Sequence, residues 1–255
     1  MTYCLGIINR AGLVLAADSR TNAGVDYIST YHKLFDFSIP GERVILLCTS
    51  GNLSVTQGVI NLLKRELQTP ETDNLNTFSS LYDIAGHIGA KIRQIHDRDR
   101  EWLERDKIDA SCSFLVAGQL PGEISQLYLV YSQGNFIQAT PETPFLQIGE
   151  TKYGKPILDR TLTYDSPMEA VAKCALLSID STMKSNISVG PPINLMMYHA
   201  DTFAVRHKLT LRLGDPYLAK MRKSWEESLR QAFESMPDLE WKHQPQASDE
   251  DIFID

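Results

Sequence analysis

Along this chain, apolar residues first form short strand-like runs, then helical stripes, then strands again, and finally helices. Residues 3–9 and 12–17 are apolar runs joined by Asn9-Arg10-Ala11-Gly12, which predicts a β-hairpin. Residues 33–38 alternate, with Leu34, Asp36 and Ser38 set against Phe35 and Phe37. Residues 43–49, Arg43-Val44-Ile45-Leu46-Leu47-Cys48-Thr49, with an apolar run from Val44 to Cys48, read as a strand buried on both faces. These four runs are expected to share one sheet.

A helical stretch follows. Val55, Val59, Leu62 and Leu63 recur at helical spacing after the turn Thr49-Ser50-Gly51-Asn52, whose Asn52 is suited to be an N-cap. Leu81, Ile84, Ala85, Ile88, Ile92 and Ile95 make a longer stripe across residues 78–104, after a polar loop at Thr69–Asn74. Strands are expected again at 112–119, 124–131 and 135–139, with turns at Pro121-Gly122 and Gln133-Gly134-Asn135. Helices follow at 153–161 and 167–184, then a strand pair at 193–199 and 203–211. A last helix from Pro216 to Met236 aligns Tyr217, Met221, Trp225, Leu229 and Phe233.

Two antiparallel sheets flanked by helix pairs fit this order better than βαβ alternation. The expectation is an α+β chain built as a four-layer αββα sandwich. Residues 1–214 read as that domain, without an internal linker or repeat. Residues 215–255 read as a C-terminal helix and an acidic tail at Ala247–Asp251, together an assembly element.

Composition narrows the function classes. The chain has 255 residues, 43% hydrophobic and 22% charged, which is ordinary globular usage. Its net charge of -7 and scattered lysines and arginines argue against a nucleic-acid surface. No apolar stretch reaches the roughly 18 residues of a membrane span. A secretory signal is not evident, and Cys4, Cys48, Cys112 and Cys174 stand singly, so a cytoplasmic location with reduced thiols is expected. The six histidines lack ligand spacing and no phosphate-binding glycine motif occurs. No metal or cofactor is therefore expected, and any ATP dependence would come from a partner ATPase or adaptor.

The chemistry concentrates near the start of the chain. Freed of Met1, Thr2 would carry a hydroxyl nucleophile and an α-amine base on one residue. That amine has an ordinary pKa of about 7.7–8.0, suited to accept the hydroxyl proton near neutrality. Lys33 would bias both groups by its positive charge, and Asp18 would hold Lys33 charged. Gly51, at the junction of a buried strand and a helix, is placed to offer a backbone donor to an oxyanion. Singly each feature is commonplace; their order along the chain gives them weight.

That order resembles the β-subunits of the proteasome, and more closely the bacterial Anbu (ancestral β-subunit) branch. The residues carrying the resemblance are Thr2, Ala17-Asp18-Ser19-Arg20-Thr21, Lys33, Thr49-Ser50-Gly51 and Asp180-Ser181, and it runs through about residue 212. It implies an N-terminal nucleophile hydrolase fold, with Thr2 as nucleophile and base, and Asp18 and Lys33 as its tuning pair. Gly51 would be the oxyanion donor and Asp180 would orient the Thr2 amine. Tyr31, sharing a strand face with Lys33, would line the pocket for the residue before the cut, with Thr21, Thr49 and Leu53.

Departures from the proteasome pattern accompany the likeness. The segment from Arg20 to Lys33 is one residue short, and Gln147-Ile148-Gly149-Glu150-Thr151 replaces a serine-glycine element. Ser181-Thr182-Met183-Lys184-Ser185-Asn186 replaces a serine followed by paired glycines. With no propeptide in view, exposure of the Thr2 amine is expected to rest on removal of Met1.

The leading expectation is a threonine-type peptidase cutting peptides or unfolded protein inside a homo-oligomer, either a ring or an open helical array. A catalytically silent assembly subunit and a narrow amidase or isopeptidase are the alternatives.

Overall fold

The structure is a computed structural model that describes residues 2–22, 28–69 and 73–241. Met1, the middle of the polar loop and the acidic tail lie outside the described residues.

The first half contains β1 (Tyr3–Asn9), β2 (Gly12–Ala17), β3 (Arg20–Asn22), β4 (Ile28–Thr30), β5 (Leu34–Asp36) and β6 (Val44–Gly51), then α1 (Leu53–Glu66) and α2 (Leu81–Arg105). After them come β7 (Cys112–Gln119), β8 (Gln126–Val130), β9 (Phe136–Gln138) and β10 (Phe145–Gly149). The chain continues with α3 (Lys155–Thr161), α4 (Met168–Ser185), β11 (Ile193–His199), β12 (His207–Leu211) and α5 (Pro216–Glu234).

The predicted hairpin is present, with Leu5 opposite Ala16 and Ile7 opposite Val14. All residues of both strands are buried, because other layers cover both faces of the hairpin. One sheet has the order β10-β1-β2-β11-β12, the other β5-β6-β7-β8-β9, and the described neighbours in both are antiparallel. The first four apolar runs therefore do not share a sheet. The hairpin belongs to one sheet, while the runs at 33–38 and 43–49 belong to the other. Continuous apolarity reports that both faces are covered; it says nothing of which distant strand forms the ladder.

Side-chain alternation distributes the strands between three cores. Leu5, Ile7, Val14 and Ala16 pack with Val171, Ala175 and Ile179 of α4. Cys4, Leu13, Leu15, Leu46, Cys48 and Leu115 fill the space between the sheets. Ile45, Leu47, Phe114 and Val116 meet Val55 and Val59 of α1 and Ile84, Ile88 and Ile92 of α2. Each of the Leu, Ile, Val and Phe side chains among these contributes about 1.5–3 kcal/mol when fully buried. The result is the αββα sandwich.

Caps set where the helices begin. Asn52 Oδ1 accepts from the N–H groups of Ser54 (3.0 Å) and Val55 (3.3 Å), starting α1 directly behind Gly51. Ser80 caps α2 and so delays it from residue 78 to Leu81. Several of the expected strands shorten at their ends: the run at 203–211 enters the ladder only at His207, because Asp201 and Phe203 have φ of 63° and 45°. Two short elements were not expected, the β3–β4 ribbon and β10.

Helix α5 does not share in the core as the other helices do. Leu218 alone of its residues is buried, while Met221 and Trp225 pack partly against α4. Leu229 is 49% and Phe233 76% exposed, and the described chain beyond ends in exposed Leu239 and Trp241.

Candidate active site

Thr2 enters β1 at the edge of a cleft between the two sheets. Its carbonyl accepts a hydrogen bond from the Glu150 N–H at 2.7 Å, so the start of β1 is tied to the end of β10. Gly149 makes this approach possible: its φ is +86°, and a Cβ there would lie 1.9 Å from the Thr2 carbonyl oxygen. On the far side of the cleft stands Gly51, at φ +104°, where a Cβ would lie 2.3 Å from the Ser111 carbonyl oxygen. No other residue fits that turn. The cleft measures about 930 Å³ and is lined by Thr2, Thr21, Ser50, Gly51 and Leu53, with Ser111 and Tyr131 opposite.

Next to Thr2 in the chain, the amide of Tyr3 binds a buried ion pair. Asp18 follows β2 and is fully buried. It accepts from the Tyr3 N–H (3.0 Å), the Gly190 N–H (3.1 Å) and the Arg20 N–H (3.2 Å). Lys33, 5% exposed, completes the set with Nζ 2.8 Å from Asp18 Oδ1, and it also donates to the Arg20 carbonyl. Burial pushes the Asp18 carboxyl up from its ordinary value, and the Lys33 ammonium and the amide donors oppose that rise. Because Asp18 binds the amide of the residue after Thr2, the pair is indexed to the start of β1.

A second brace holds β1 from its outer face. The Tyr3 hydroxyl and Ser178 Oγ of α4 are 2.6 Å apart, and Gln147 Nε2 donates to the same phenol. Burial pushes the phenol up to about 12, so it remains neutral at physiological pH.

The sequence-predicted residues thus divide. Thr2, Thr21, Gly51 and Leu53 line one cleft, and Asp18 and Lys33 form a buried pair joined to β1 at the Tyr3 amide. Thr21 Oγ1 is buried there without a hydrogen-bond partner among the described residues. Tyr31 and Thr49 line a neighbouring pocket of about 340 Å³ that shares Leu53 with the cleft. The strand argument for Tyr31 does not hold: residues 31–33 have no regular structure, and Tyr31 is exposed where Lys33 is buried. The placement of Asp180 also differs from the expected one. Arg222 of α5 grips it with two nitrogens, Nε at 3.0 Å from Oδ1, and among the described residues no hydrogen bond joins Asp180 to Thr2.

Sequence reasoning overlooked Glu150 and Gly190 as members of the site. Gly190 follows α4 at a distance of 172 residues from Asp18, and its role is visible only in the fold. Glu150 carried a signal, an acid standing where a serine-glycine element was expected.

An αββα sandwich with a hydroxyl residue leading its first strand, beside a buried carboxylate–ammonium pair, has the layout of the N-terminal nucleophile hydrolase class. A family model for proteasome subunits matches residues 2–197. Solved structures are more specific. An Anbu from Yersinia bercovieri is 43% identical with a TM-score of 0.89, the match covering 95% of this chain and 100% of that one. The helical assembly of the Anbu complex from Pseudomonas aeruginosa gives 46% identity and a TM-score of 0.90, covering 94% and 98%. A Gly-1 mutant of Anbu from Hyphomicrobium sp. strain MC1 gives 41% and 0.88, covering 94% and 100%. The chain belongs to the proteasome β-subunit family, in its Anbu branch. No curated protein sequence matches it.

Proposed function

We propose that this protein is a threonine-type peptidase whose nucleophile is Thr2, exposed by removal of Met1. The supporting observation is the fastening of the buried Asp18–Lys33 pair to the amide of Tyr3, one residue from that hydroxyl. In this reading the Thr2 amine accepts the Oγ proton, directly or through one water, and Oγ attacks the substrate carbonyl. The backbone at Gly51 stabilises the oxyanion, and the Lys33 charge favours ionisation of the hydroxyl. The departing amine takes the proton, leaving an ester on Thr2 that water then hydrolyses.

The shape of the cleft suits an extended peptide. Thr21 lines the cleft beside Thr2, and the pocket at Tyr31, Thr49 and Leu53 would take the side chain before the cut. Neutral hydroxyl, amide and aliphatic groups dominate these walls, which favours unstructured peptides or unfolded protein as substrates. Any unfolding by ATP hydrolysis belongs to a partner, and the cytoplasm is the expected compartment. The test is turnover of unstructured peptides by the full-length protein: activity that vanishes with Thr2→Ala supports the proposal, and unchanged activity overturns it.

Assembly is the second part. The Pseudomonas aeruginosa relative forms a helical assembly, and α5 presents an apolar stripe that is exposed among the described residues. We place residues 215–255, or at least α5, in contacts between subunits of a homo-oligomer. Truncation after residue 214 is expected to reduce the assembly to smaller species in native mass measurements. An unchanged mass would remove α5 from the interface.

A further inference from the structure

Glu150 is the buried acid for which the proposed reaction has so far no use. It is 7% exposed, and among the described residues no cation pairs with it. Its backbone N–H holds the Thr2 carbonyl at 2.7 Å, and its carboxylate accepts from Asn186 Nδ2 at 3.1 Å. Asn186, at the C-terminal end of α4, is itself set by accepting from the Ser188 N–H at 2.9 Å. Removal of Met1 moves the α-ammonium of the chain onto Thr2, the residue to which the Glu150 backbone is bound.

The other charged groups around this point already have partners. Asp18 is held by Lys33, Asp180 by Arg222 and Lys184 by Glu226. Arg20 donates to the Ile187 carbonyl, and Asp109 accepts from the Ser111 N–H and hydroxyl. Lys152, two residues beyond Glu150, is exposed to solvent.

We propose that Glu150, steadied by Asn186, is the positioning residue for the Thr2 amine. It anchors the ammonium in the resting enzyme and orients the neutral amine toward Oγ during reaction. Glu150 thereby takes the part that the resemblance had suggested for Asp180, whose carboxylate is committed to Arg222. The inference rests on the threonine-nucleophile reading above.

A carboxylate beside an ammonium raises the pKa of that ammonium. The amine must be neutral to act as base, so the rate falls as pH drops below the amine pKa. In Glu150→Gln the midpoint of this acid limb is expected to move down by about one pH unit. The measurement is the rate at which a peptide epoxyketone labels Thr2, followed against pH by intact mass for the natural protein, Glu150→Gln and Glu150→Asp. Glu150→Asp should recover at least part of the shift, and the thermal midpoint of each variant reports on folding separately. An acid limb that stays in place in Glu150→Gln, with Thr2 still labelled, overturns the role of Glu150 and leaves the nucleophile standing. No labelling of Thr2 in the natural protein overturns both. Should Glu150→Gln not fold, Asn186→Ala, which removes the donor that steadies the carboxylate together with the acceptor for the Ser188 N–H, is expected to shift the limb in the same direction, and no shift there overturns the inference.

Discussion

Replacing Thr2 with alanine is expected to lower peptide turnover by about 10⁴-fold or more, to the level of a blank, while the chain still folds and assembles. The reason lies in what the substitution removes and what it leaves. The hydroxyl is the sole bond-forming group in the proposed reaction, and removal of a covalent nucleophile elsewhere costs about 10⁴–10⁶-fold. The fold depends little on it: Thr2 contributes its carbonyl to Glu150, which alanine retains, and no hydrogen bond of its side chain joins it to the described residues. Steady-state turnover of an unstructured peptide, with native mass as the control for assembly, gives the answer. Residual activity within about tenfold of the natural protein would move the nucleophile elsewhere.

The second large effect concerns the buried Asp18–Lys33 pair. Asp18→Asn leaves the Lys33 ammonium buried without its counter-charge, and breaking a buried pair in this way costs about 3–5 kcal/mol. For a domain of this size that corresponds to a fall of about 10 °C in thermal midpoint. Lys33→Ala is expected to be milder for stability, because the Asp18 carboxylate keeps the Tyr3, Gly190 and Arg20 amide donors. Its effect on the reaction should nevertheless be large, about 10²-fold or more in kcat, since the charge that favours ionisation of Oγ is lost. The two variants therefore separate stability from chemistry. If Lys33→Ala unfolded the protein as readily as Asp18→Asn while turnover per folded subunit stayed the same, the pair would be structural only.

Much of this was legible along the chain, for reasons that differ between elements. The helices announced themselves through periodic apolar positions and caps: Asn52 starts α1 and Ile84, Ile88, Ile92 and Ile95 form the buried stripe of α2. Strands β1, β2, β6 and β7 were visible as apolar runs because both of their faces are covered. Sheet membership was not, since the partner of β6 lies about sixty residues on and the hairpin finds β10 and β11 further still. β10 was overlooked although Leu146 and Ile148 alternate with Phe145 and Gln147, because its five residues sit between turns.

The site follows the same logic. Thr2, Asp18, Lys33 and Gly51 stand out in the sequence as an ordered set; in the fold Thr2 and Gly51 line one cleft, and the buried Asp18–Lys33 pair is joined to the Tyr3 amide beside it. Tyr31 lines a pocket with Thr49 and Leu53, but not by the strand alternation expected of it, since residues 31–33 form no strand. Asp180 was assigned without knowledge that α5 would return and place Arg222 against it, a contact across 42 residues. Glu150 stood in a segment that looked only like a departure from a pattern. Its meaning depends on the ladder that sets it beside Thr2, and a ladder is not local.

The account stands on one free amine. Intact mass measurement of the protein before and after exposure to a peptide epoxyketone, followed by mapping of the adduct, tests it directly. The predicted result is a chain that begins at Thr2 and carries one adduct on that residue. A chain that retains Met1, or an adduct placed on any other residue, would contradict the assignment of Thr2 as nucleophile and base.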